Sequence, residues 1–90
     1  MKCLKTVNPY FEDVWQGRKT FEVRKNDRDF EVGDELNLFE YEPKETVKKF
    51  TGRRIEAKVT YMIDDKRFVK NGFVVMGIFV TQRVSEELTP

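Results

Sequence analysis

Lys19, Glu22 and Arg24 stand within the stretch Gly17–Asp34 (GRKTFEVRKNDRDFEVGD), which carries five basic and five acidic residues. A carboxylate between two cations has a definite chemical range. The cations can hold a phosphate or a carbonyl oxygen, and the carboxylate can accept from a base amino group, as it does from cytosine N4. Read as a strand, the segment turns Thr20, Glu22 and Arg24 to one side and Phe21 and Val23 to the other. The apolar pair is expected to enter the core and the polar row to line a site. The plain alternative is a row of exposed salt bridges on an edge strand, worth roughly 0–1 kcal/mol per pair.

Two further groups of polar residues belong to this reading. Asn26, Asp27 and Arg28 have turn composition, and beside a cleft the same three can also read a base edge. Lys44, Lys48, Lys49, Arg53 and Arg54 form the one basic-rich stretch, with Phe50 inside it. Such a run is either a solvated face or a flap whose Lys48, Lys49, Arg53 and Arg54 track a nucleic-acid backbone. Tyr41 and Tyr61 can stack on bases, or serve equally well as walls of a β-structure.

Composition narrows the chemistry. Seventeen basic residues against sixteen acidic give a net charge of +1, so nucleic-acid contact has to be local rather than a property of the whole surface. Histidine is absent and Cys3 is the single cysteine. That removes Ser-His and Cys-His nucleophile pairs, disfavours zinc, and leaves no internal disulfide. Cys3 is expected to be a small buried strand residue. No metal or organic cofactor is expected. No apolar run reaches the roughly 18 residues of a membrane span, and the first residues lack a signal-peptide pattern, so the expected location is the cytoplasm.

The elements that must position these residues follow from period and punctuation. Ninety residues suit one domain, 1–90, with one core. Met1–Val7 alternates as a first strand. Asn8 and Pro9 open a short helix to Gln16 that Gly17 ends in a left-handed cap, with Phe11 and Trp15 anchoring it on the core. Strands are expected over Thr20–Lys25 and Glu35–Tyr41, the second opened by a Gly33-Asp34 turn. Pro43–Gly52 reads as a surface loop. Ile55, Ala57, Val59, Tyr61 and Ile63 then recur with period two as a half-buried strand. Asp64–Asn71 is a polar connection with a helical turn at Phe68 and Val69. Phe73–Val80 is apolar on both faces, as a central strand or one closing a barrel would be, with Gly77 allowing a bend or close approach of another backbone. Ser85–Pro90 is a polar tail. The expected fold is α+β, mainly β: a small barrel of about five strands with a short helix after the first.

A first strand, a short aromatic helix ending in Gly17-Arg18-Lys19-Thr20, then Glu22, Arg24 and the Gly33-Asp34-Glu35-Leu36 turn resemble the ASCH branch of the PUA-like superfamily. The string KTFEVRKNDRDFEVGD looks like a short bacterial and phage family of unknown function within that branch. The resemblance runs from about Leu4 to Phe79. It implies a PUA-like barrel with a cleft between helix and barrel, where members of the superfamily bind RNA or modified bases. One small bacterial ASCH type hydrolyses the amide of an acetylated cytidine. Its catalytic lysine matches Lys19, its threonine nucleophile falls where this chain has Glu22, and its glutamate has no matching position. Glu22 would then act as a general base through water. Three functions are thus expected in order: an RNA- or nucleotide-binding module using Lys19, Thr20, Glu22, Arg24, Asn26 and Arg28; a metal-independent nucleoside amidohydrolase using Lys19 and Glu22; and a protein-interaction or phage-regulatory adaptor.

Overall fold

The computed structural model describes residues 1–47 and 49–86. Its elements in chain order are β1 (Lys2–Thr6), α1 (Tyr10–Trp15), β2 (Phe21–Lys25), β3 (Glu35–Tyr41), β4 (Phe50–Ile63) and β5 (Phe73–Ser85). The five strands form one sheet in the order β1-β3-β4-β5-β2. β1 and β3 run parallel, and every other neighbouring pair is antiparallel. The protein is therefore mainly β, a five-stranded curled half-barrel with one short helix after the first strand.

The curl brings the two edge strands, β1 and β2, within reach of each other's polar groups. Arg24 of β2 donates from Nη1 to the Lys5 carbonyl (3.0 Å) and from Nη2 to the Thr6 hydroxyl (2.9 Å). Arg28, just beyond β2, donates to the Cys3 carbonyl (2.9 Å). Arginine side chains thus span a gap that a closed barrel would cross with a backbone ladder, and they occupy edge groups that would otherwise invite pairing with another chain.

The helix is set by its two ends. Asn8 Oδ1 accepts the Glu12 N–H (2.9 Å), which satisfies a first-turn donor. At the other end Gly17 has φ 81°, a left-handed conformation that glycine adopts without a Cβ penalty. The Arg18 and Lys19 N–H groups then fold back on the Asp13 carbonyl, both at 2.9 Å. This reversal sends Lys19 towards β2. Phe11 and Val14 are completely buried, and Trp15 packs partly against the same core.

Core packing comes from the inner faces of β3, β4 and β5, with Leu36, Leu38, Ile55, Val59, Val74 and Met76 all fully buried. These positions follow the expected alternation, but three assignments change. In β2, Phe21 and Val23 face outward, about half exposed, while Glu22 is buried at 3% exposure. The reason lies in β5: Glu22 pairs with Met76 and Arg24 with Val74, so the strongly apolar inner row of β5 sets the phase of its weaker neighbour. In β4 the period-two row breaks, and Tyr61 and Ile63 are exposed while Met62 packs inward. A register irregularity between Val59 and Tyr61 shifts the alternation by one residue there. Cys3 is exposed rather than buried, because Leu4 takes the inward position of β1.

Two boundaries also move. Phe50, Thr51 and Gly52 belong to β4 rather than to a loop, and β5 continues past Val80 to Ser85. Gly77 does sit at a close approach, but of a side chain rather than of another backbone: a Cβ there would lie 3.3 Å from Thr60 Oγ1. Among the described residues, no helix is long and apolar enough to cross a membrane.

Candidate functional site

Lys19, Glu22 and Arg24 meet as a compact ionic triad. Lys19 Nζ lies 2.6 Å from Glu22 Oε1, and Arg24 Nε lies 3.0 Å from Glu22 Oε2. Their side chains are 14%, 4% and 23% exposed, so the triad is largely withdrawn from water. Lys19 also donates to the Phe21 carbonyl (2.6 Å) and rests 5.1 Å from the Phe21 ring centre. A carboxylate with a cation on each oxygen holds both cations in place. Glu22 is therefore a fixed anchor in this geometry, with neither oxygen idle.

The triad borders a cleft of about 690 Å³ between the Tyr10 and Asp13 face of α1 and the edges of β1 and β2. Thr6, Val7, Tyr10 and Phe21 supply a hydroxyl and apolar or aromatic walls, and Lys5 and Arg18 add charge at the margin. Arg18 is itself paired with Asp13 at 3.0 Å. A second cleft of about 840 Å³ lies beyond Arg24, with Cys3, Arg28, Phe39, Phe50 and Arg54 among its walls. Lys5 and Arg24 border both clefts.

The other expected site residues divide. Thr20 is exposed, and its carbonyl accepts the Ile78 N–H (3.0 Å), so it extends the β2–β5 pairing. Asn26 shapes the turn: its side-chain oxygen accepts the Phe30 N–H (3.1 Å), and its own N–H donates to Gly72. Arg28 faces the second cleft. Lys49 is exposed, and Lys48 lies outside the described residues.

Arg53 does not belong to an exposed basic strip. Its guanidinium makes a two-pronged contact with Glu40, Nε to Oε1 at 2.9 Å and Nη2 to Oε2 at 2.7 Å, and reaches Glu12 of α1 at 2.8 Å. It also lies over Phe11 and Trp15, 5.2 and 4.8 Å from their ring centres. Glu40 further accepts from Thr51 and from Asn8 (2.7 Å). Led by the Arg53 hydrogen bond, these contacts hold the Glu40 carboxyl at a pKa of about 2 although burial pushes the other way. Arg53 and Gln16 likewise hold Glu12 below its ordinary value. This second network fastens α1 to β3 and β4 and so fixes one wall of the triad's cleft. Arg54 is paired with Glu56 at 2.5 Å.

Sequence reasoning missed Thr6, Tyr10 and Lys5 around the first cleft, and Asn8, Glu12 and Glu40 around Arg53. One of these had a signal. Glu40 continues the inward row of Leu36 and Leu38, and a charge in core phase implies a dedicated partner. Among the described residues, no three acidic or cysteine side chains gather as metal ligands.

Residues 1–78 match the family described as "Domain of unknown function (DUF3850)", and the chain belongs to that family. It is also similar to an Escherichia phage P2 protein described as "Uncharacterized 12.9 kDa protein in GpA 3'region", at 44% identity over 55 residues. That alignment covers 61% of this chain and 47% of the phage protein, so the chain spans about half the length of the curated relative it matches.

Proposed function

We propose that this member of the DUF3850 family is a PUA-like module of the ASCH type that binds a nucleoside or nucleotide unit, as in RNA, in the cleft beside α1. The observation that carries the reading is the withdrawn triad of Lys19, Glu22 and Arg24 at the edge of a cleft of about 690 Å³. Its donors suit such a ligand. An Arg fork offers five N–H groups and a lysine ammonium three, of which Arg24 uses three and Lys19 two on the protein itself. The remainder would meet the carbonyl or phosphate oxygens of a nucleotide, while Tyr10 and Phe21 offer ring surface for the base. The resemblance of GRKTFEVR to the ASCH pattern supports the same reading.

The geometry favours binding over amide hydrolysis. Glu22 already has a cation on each oxygen, and the Lys19 ammonium is held by two acceptors, which suits a charged binding group better than a base or nucleophile. Isotope-labelled protein titrated with nucleosides, acetylated cytidine and short single-stranded RNA tests this, with acetate release followed in the same tube. Saturable amide shifts at Lys19, Glu22 and Arg24 are expected without turnover. Tyr10→Ala, at a half-exposed position outside the ion pairs, should weaken binding roughly tenfold, as loss of one stacking contact does. Acetate release would favour the hydrolase; the absence of any shift would reject the cleft and leave a protein adaptor.

A further inference from the structure

The cleft beside α1 accounts for the triad but leaves the larger, adjoining cleft without a role. Its surface is built differently. Lys5 Nζ lies 4.8 Å from the Tyr41 ring centre and 6.0 Å from that of Phe50. Phe50 meets Tyr41 and Phe39 edge-on, with centroids 4.9 and 6.3 Å apart, and remains 47% exposed. An aromatic left half open to solvent is a platform rather than a core residue. The same cleft is lined by Lys25, Arg28 and Arg54, with Asp27 and Glu86 also among its walls. Arg54 is offset by Glu56, while Lys25 and Arg28 make no ion pair among the described residues. Aromatic surface with a local excess of cations is the combination that binds single-stranded nucleic acid, through base stacking and phosphate contact.

The two clefts adjoin across a shared wall, since Lys5 and Arg24 border both. A nucleotide held beside Lys19 would therefore pass its phosphodiester chain across Arg24 and Lys5 into the aromatic cleft. Taking the proposed function as its basis, we infer that the ligand is a single-stranded oligonucleotide, and that the Phe50 cleft is a second subsite for the nucleotides next to the one beside α1. Phe50 stacks a neighbouring base, and Lys5, Lys25 and Arg28 meet the intervening phosphates.

Length dependence of affinity tests this directly. Binding of the four nucleosides is compared with that of the four homotrinucleotides, as RNA and as DNA, by fluorescence or calorimetry at several salt concentrations. At least one trinucleotide should bind ten times or more as tightly as its nucleoside. Its log affinity should fall with log salt at a slope of about −1.4, for two phosphates at about 0.7 each, whereas the nucleoside should show little slope. Phe50→Ala should reduce trinucleotide affinity roughly tenfold and leave nucleoside affinity unchanged, and Phe50→Tyr should retain it. The RNA and DNA arms decide which backbone is taken. If nucleosides bind and trinucleotides bind no more tightly, the second subsite is refuted while the first cleft stands. If neither binds, both readings fall together, and the aromatic and cationic surface is left to a protein partner.

Discussion

Replacing Glu40 by Gln removes one negative charge from the network that fastens α1 to the sheet, and its cost can be worked from the structure. The Glu40 side chain is 6% exposed and faces the Arg53 fork at 2.7 and 2.9 Å. Its carboxyl sits at a pKa of about 2 against an ordinary 4.5. At about 1.4 kcal/mol per pH unit, that gap corresponds to roughly 3 kcal/mol of native-state preference for the ionised form. Arg53 remains 26% exposed, and solvent screening reduces the expectation to about 2 kcal/mol. The sign follows from a folded pKa that is depressed. The contribution is fully present above the unfolded value near 4.5, fades as the pH falls, and is gone below about 2. Glu40→Gln has no such proton to take up. It should be about 2 kcal/mol less stable than wild type near neutral pH, and the difference should shrink steadily from about pH 4.5 downward. Urea unfolding followed by Trp15 fluorescence measures both, since Trp15 is the one tryptophan and lies under the Arg53 guanidinium. A difference that stays constant down to about pH 2.5 would refute the assignment of this stability to the Glu40 charge.

Glu22→Gln should cost roughly 2–3 kcal/mol, because it leaves Lys19 and Arg24 partly buried without their shared counter-charge; a loss below about 0.5 kcal/mol in the same unfolding assay would contradict the paired geometry. The same variant should lose the saturable ligand shifts expected at Lys19 and Arg24. Cys3 is exposed, so the folded protein should react fully with a thiol-specific disulfide reagent at close to the rate of the unfolded chain. Strong protection in the native state would show that the phase of β1 is reversed.

The strand set, the helix and the turn at Gly17 were legible because each rests on preferences that act over a few residues. Alternation along Glu35–Tyr41, the Asn8-Pro9 start and the left-handed glycine need no distant partner. The grouping of Lys19, Glu22 and Arg24 was legible for the same reason, since residues two and three apart on a strand and its leading loop are close in any fold. The faces of β2 were not. Local hydrophobicity points Phe21 and Val23 inward, and only pairing with β5, whose Val74 and Met76 are fully buried, turns Glu22 inward instead. The fate of the charges was equally hidden. Arg53 reads as part of a basic run until Glu40, thirteen residues away, and Glu12, forty-one away, come beside it. A charge is tolerated in the interior only where a counter-charge and hydrogen bonds replace the lost water, and the chain brings those partners together only by folding. The bridge between the sheet's edges belongs to the same class: Arg24 spans β1 and β2 through contacts eighteen and nineteen residues distant. Local pattern thus marks most of the strand positions and the residues that could do chemistry, whereas folding sets which of those charges face a cleft and which are spent on holding it open.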